Sequence, residues 1–165
     1  MLKLERITSE YIEAEDRIRL SGEVTSGETV VIWLTRRLMQ RLLPALIQLF
    51  QGQHSDNPYM EMMQGFAQQA AQSELKPQAP VSVTVNASSW VAMAVDVSHT
   101  GQVITLNFRA ADGQSAILVM DALPLRQWLS IVYGMYVKAE WPVDVWPNWI
   151  SERVPQKSVQ GVVMH

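Results

Sequence analysis

With 48% apolar and 18% charged residues over a length of 165, the chain lies far from the low-hydrophobicity, high-charge composition that leaves proteins disordered. A formal charge of −3 gives no general attraction for phosphate backbones, so nucleic acid is not an expected partner. The absence of cysteine excludes disulfides, thiolate metal sites and cysteine nucleophiles, and suits a reducing compartment.

At the N-terminus, Lys3, Glu5 and Arg6 interrupt the apolar core that a signal peptide would need. No apolar run approaches the ~20 residues of a spanning helix. These features predict one cytoplasmic domain over residues 1–165 with no membrane span.

The chain opens with two predicted strands. Leu2, Leu4 and the stretch 11–14 belong to the first, and Ile18, Leu20 and Val24 to the second, with the acidic cluster Glu13, Glu15 and Asp16 at the reversal. Arg17 and Arg19 alternate with Ile18 and Leu20, as in an antiparallel strand with one wet face. Residues 25–28 form a turn around Gly27, and the unbroken apolar run 29–34 predicts a strand buried on both faces.

Thr35 is a helix cap, followed by Leu38, Met39, Leu42, Leu43, Leu46, Ile47 and Phe50 at helical spacing. Pro44 predicts a kink or two short helices in succession. Asn57-Pro58 opens a second helix through Tyr59, Met62, Met63, Phe66 and Ala70, with those side chains expected in the core.

Residues 76–80 read as a linker. Alternation at Val81, Val83 and Val85 and the apolar stretch 90–97 predict one strand each, or one long bent strand. After a turn at 99–102, Ile104, Leu106 and Phe108 alternate inward. Asp112-Gly113 is the next hairpin turn, 115–120 a strand, and Asp121 the cap of a helix through Leu125, Trp128, Leu129, Val132 and Met135.

Shifting the chain by 86 positions places Ile18 on Ile104, Leu20 on Leu106, Gly27 on Gly113 and Thr35 on Asp121 without a gap. This register predicts an internal repeat: two strand-strand-strand-helix units, spanning 1–76 and 81–140, with the Asn57 helix inserted between them. The expected fold is α+β, with antiparallel strands in one sheet or two packed sheets and three covering helices.

No nucleotide, esterase or calcium motif is present, and the three histidines, His54, His99 and His165, lack the spacing of metal ligands. Neither a cofactor nor a metal is expected, and catalysis is not the preferred reading. The pairing of Glu13, Glu15 and Asp16 reads as a solvated hairpin tip, and Met60, Met62 and Met63 as core packing.

Two surfaces stand out. Arg36 and Arg37 follow the Thr35 cap, where the helix field is already positive. With Arg41 they are candidates for an anion or an acidic partner, unless the tip at 13–16 pairs with them. Trp141-Pro142, Trp146-Pro147 and Trp149, followed by Pro155, predict an extended, semi-rigid arm over 141–165. Its tryptophans either lie back on their own domain or reach a neighbour.

The functional expectation is a non-enzymatic interaction or scaffold protein, self-associating as a homo-oligomer through Trp141, Trp146 and Trp149. Its alternative is a binding module for a small anionic ligand or acidic peptide through Arg36, Arg37 and Arg41.

Overall fold

A computed structural model describes residues 1–52 and 57–152. The elements in chain order are β1 (Leu2–Ile12), β2 (Arg17–Val24), β3 (Thr29–Thr35), α1 (Arg36–Gln51), α2 (Pro58–Ser73) and β4 (Ser88–Val91). There follow β5 (Ala94–Thr100), β6 (Val103–Arg109), β7 (Ser115–Asp121), α3 (Ala122–Ala139) and α4 (Asn148–Ser151). The protein is α+β, with the seven strands in one sheet of order β4-β3-β2-β1-β7-β6-β5.

The sheet is mixed, which corrects the expectation of antiparallel strands alone. Two hairpin-linked meanders, β1-β2-β3 and β5-β6-β7, are antiparallel within themselves. They meet through parallel pairs, β1 with β7 and β3 with β4. The apolar run of β3 contains no polar alternation because both its faces are covered: Val30, Ile32 and Leu34 point into the core, and Val31 is buried on the other side.

The pairing registers recur at the offset of 86. Ile18 faces Leu34 as Ile104 faces Met120. Leu4 faces Leu118 as Trp90 faces Ile32.

The stretch 88–100 behaves as one long bent strand. Its halves β4 and β5 occupy opposite ends of the strand order although only Ala92 and Met93 separate them. At the bend, Ala92 N–H donates to Trp33 O at 3.0 Å, and Met93 N–H donates to Arg109 O at 2.8 Å. The sheet therefore curls until its two ends share a strand.

A similar handover occurs near the start of β1, where pairing with β7 ends at Leu4 and a register shift lies between Leu4 and Arg6. Gly22 makes room for it. A Cβ there would stand 2.6 Å from Leu4 Cδ2.

Residues 81–85 are not a strand, against the alternation of their valines. Val81 N–H donates to the Thr8 hydroxyl at 2.8 Å and Thr84 N–H to that of Thr29 at 2.9 Å, so the stretch crosses the outer side of the first meander. Val81 is buried there, while Val85 is fully exposed.

One apolar core joins the inner side of the sheet to α1 and α3. Leu38, Met39, Leu42, Leu43, Leu46 and Ile47 bury one face of α1, and the predicted α3 positions, Leu125 to Met135, are likewise buried. Full burial of such side chains stabilises by ~1.5–3 kcal/mol each before the entropy cost of ordering.

Pro44 does not divide α1, which runs as one helix. Pro44 and Gln40 both lie on its exposed side, where the carbonyl deprived of its donor can be solvated.

The two caps differ. The Thr35 hydroxyl accepts from Leu38 N–H at 3.1 Å, whereas Asp121 holds the N-cap position with no side-chain cap bond. Backbone geometry supplies the stop at Asp121, and the predicted capping bond there is corrected.

Candidate functional site

The tryptophan segment is folded back onto the core rather than extended. Helix α3 ends at Glu140, whose left-handed backbone lets Trp141 N–H donate to Tyr136 O at 3.1 Å and Glu140 N–H to Val137 O at 3.2 Å. These are the paired bonds of a Schellman motif, and its apolar contact is Trp141 edge-on to Tyr136 at 5.0 Å. The chain thus reverses without the usual glycine.

From there an aromatic ladder runs inward. Trp141 also meets Tyr11 at 5.7 Å, and Trp146 meets Tyr136 and Tyr133, each at 5.3 Å. Pro147 precedes the single turn of α4 instead of preventing it, since a helix start needs no N–H there.

Trp141, Trp146 and Trp149 retain 4%, 5% and 3% of their exposure, so their area is spent within the chain. Of the two alternatives for this segment, the structure shows the tryptophans packed in cis. The remainder of the predicted arm, with Pro155 and His165, lies outside the described residues, as does His54.

Asp16 ties this segment to the first hairpin. Its carboxylate accepts from Tyr11 Oη at 2.6 Å and from Trp141 Nε1 at 2.8 Å. Those two hydrogen bonds hold its pKa below the usual range, with the nearby Arg36 guanidinium adding to them. The same bond pushes the Tyr11 phenol up to about 12.

A general acid needs the opposite shift, so Asp16 acts as a positioned acceptor for the fold. Glu13 and Glu15 are exposed at the same turn.

Arg36, Arg37 and Arg41 are exposed, and none forms an ion pair among the described residues. The Arg36 guanidinium helps to lower the Asp16 pKa, but the tip at 13–16 makes no salt bridge with Arg36, Arg37 or Arg41 among the described residues. His99 is an exposed residue of β5 facing Ile104 across the hairpin. No group of three or more His, Asp or Glu residues able to hold a metal occurs among the described residues.

Helix α2 carries the largest departure from expectation. Its inward residues are Gly65, Gln68 and Ala71. Its apolar residues face outward instead: Tyr59, Met62, Met63 and Phe66 retain 61%, 46%, 45% and 53% of their exposure. The predicted burial of the methionine and phenylalanine face is therefore corrected.

Amide chemistry explains the inversion. The Gln68 side-chain amide, fully buried, donates to Arg126 O at 2.7 Å and to Ser130 Oγ at 2.6 Å. Gln127 donates to Ala71 O at 3.0 Å, and the Arg126 guanidinium donates to the Gln64 side-chain oxygen. Leaving such groups buried and unpaired would cost ~1–3 kcal/mol each, so the polar side of α2 is the side that docks on α3.

Arg126 itself lies over the Phe50 ring at 4.1 Å and near Trp149 at 5.6 Å. Desolvation lowers its pKa to about 10. The sequence signal for this lock was the small and amide residues Gln64, Gly65, Gln68 and Ala71, spaced along one face of a helix whose methionines drew attention to the other.

Two shallow clefts adjoin α2, and the second reaches the outward stripe through Met62. One, of about 250 Å³, lies between α2 and the tryptophan segment and includes Met60, Gln64, Trp146 and Trp149. The other, of about 230 Å³, includes Met62, Gly65 and Trp149. Comparison with protein-family models, curated proteins and solved structures finds no match. No helix among the described residues is long and apolar enough to cross a membrane.

Proposed function

We propose that this is a non-enzymatic protein-interaction protein whose contact surface is the outward face of α2. The observation that carries the reading is the inverted amphipathicity of that helix: four large apolar side chains in one stripe face solvent, while Gln64 and Gln68 face the protein. Contiguous apolar patches of a few hundred Å² on a protein surface are often functional, and the stripe is of that size. The buried tryptophans no longer carry the proposal.

The recurrence of pairing registers at an offset of 86 supports reading the fold as two strand-strand-strand-helix units. Among the described residues, the four-turn helix α2 follows α1 where only the single turn of α4 follows α3. A helix that is long in one unit and carries an outward apolar face is what an interaction role added to a two-unit frame would look like.

The test is binding of a dye specific for exposed apolar surface to the folded chain. Binding is expected, and a Met62→Gln, Phe66→Gln double variant should lose most of it. Dye binding that is absent, or indifferent to the two substitutions, would overturn the reading. Association through this face should also resist salt, whereas association through Arg36, Arg37 and Arg41 should weaken as salt rises.

A further inference from the structure

We propose that the partner of the α2 face is a second copy of the same chain, bound through an antiparallel pairing of α2 with α2 about a two-fold axis between Met62 and Met63. This rests on the preceding reading of that face as an interaction surface.

An isologous contact demands a patch that complements itself, so that a residue touching a second residue is touched in return by its equivalent. The stripe meets that demand in its order. Tyr59, two residues, Met62, Met63, two residues, Phe66 reads as the same chemistry in both directions, with an aromatic ring at each end and paired thioethers in the middle. Laid antiparallel on its copy, each aromatic faces the other aromatic type and each methionine faces a methionine. Thioethers repack readily against one another and against ring edges, which suits a contact made without a preformed pocket.

Charge narrows the choice of partner further. Glu61 is the sole charged residue of α2, and it stands outside the stripe. A basic or acidic partner helix would find nothing on these four side chains to pair with. A second α2 brings an equally uncharged stripe. The flanking cleft floored by Gly65 and bordered by Met62 is lined also by the carboxylates of Glu61 and Glu152, so the proposed contact is confined to the uncharged stripe itself.

The area predicts a weak complex. Large aromatic and methionine side chains that are about half exposed offer roughly 100 Å² each, so the stripe supplies on the order of 400 Å² per copy. A stable interface uses about 800 Å² per partner. The dimer should therefore be reversible and visible only when the protein is concentrated.

The experiment combines mass in solution with cross-linking on the full chain. Average mass should climb toward twice the monomer value as concentration is raised a hundredfold, and Met63→Lys should abolish the rise by placing like charges at the axis. Phe66→Gln, milder for the fold, should weaken it at least severalfold. Because the chain has no cysteine, Met62→Cys can be oxidised without background, and it should give disulfide-linked dimers where Gln114→Cys, on an exposed turn, gives none.

A chain that stays monomeric, a mass rise that survives Met63→Lys and Phe66→Gln, or cross-linking equal at the two cysteine positions would overturn the proposal. If dye binding at the face persists in that case, the self-pairing alone has failed; if it is also lacking, the interaction reading fails with it.

Discussion

The tryptophan segment and helix α2 lie side by side, both apolar, and the protein treats them oppositely. Residues 141–149 put three indoles inside, while α2 puts two methionines and two aromatics outside. Apolar content does not separate them; attachment does.

The tryptophans follow α3 through a Schellman reversal that aims Trp141 at Tyr136, and Trp141 and Trp146 find tyrosine partners while Trp149 finds Phe50. In α2 the glutamines have the stronger claim on the interior. Arg126 and Ser130 of α3 offer them hydrogen bonds that the methionines could not use. A buried amide left unpaired costs as much as a methionine gains on burial, so matched polar partners can turn a helix inside out.

The sharpest way to break this contrast is to truncate one side chain from each region. Trp146→Ala should cost about 3–5 kcal/mol, as expected for a buried aromatic, while Phe66→Ala at low protein concentration should change stability by less than ~0.5 kcal/mol. Urea denaturation decides it. Equal losses would mean that the α2 face is covered within the monomer.

A smaller effect separates the two meanders through their helix caps. Thr35→Ala removes a hydroxyl that accepts from Leu38 N–H, and should cost about 1 kcal/mol. Asp121→Ala removes no such bond and should cost a few tenths at most. Similar midpoint shifts for both would show that the Asp121 carboxylate reaches its helix in solution.

The smallest effect sharpens the account of how the tryptophan segment is held. Asp16 has a lowered pKa, so its contribution is present above the ordinary carboxylate value and is lost as pH falls through the folded value below it. Tyr11 is raised from 10.0 to about 12, so its contribution is present below 10 and fades as pH rises through about 12. Tyr11→Phe should flatten both flanks of the stability–pH curve. An unchanged acid flank would remove Asp16 from the account of that segment.

What the sequence made legible follows from how local each cause is. The Thr35 cap, the turns at Gly27 and Gly113, and the α1 and α3 faces depend on residues a few positions apart, and they appear where the pattern places them. The parallel pairings depend on Leu2–Leu4 meeting 116–118, which no short window contains.

Alternation at Val81, Val83 and Val85 mimicked a strand because a crossing segment can also bury one valine in contact with a sheet. The face of α2 was misread for a related reason. Helical spacing shows that a side is apolar, and only the amide partners on α3 decide which side turns inward.

The parallel pair between β1 and β7 also bears on synthesis at the ribosome. Leu2, Lys3 and Leu4 are made well before their partners Ala116, Ile117 and Leu118, which follow more than a hundred residues later. Until then the first meander can form its hairpins but not complete the sheet, and the opening of β1 presents an unpaired edge to solvent or to any chaperone nearby. Slow codons or pauses before residue 118 should therefore prolong the aggregation-prone interval, whereas pauses after it should matter little.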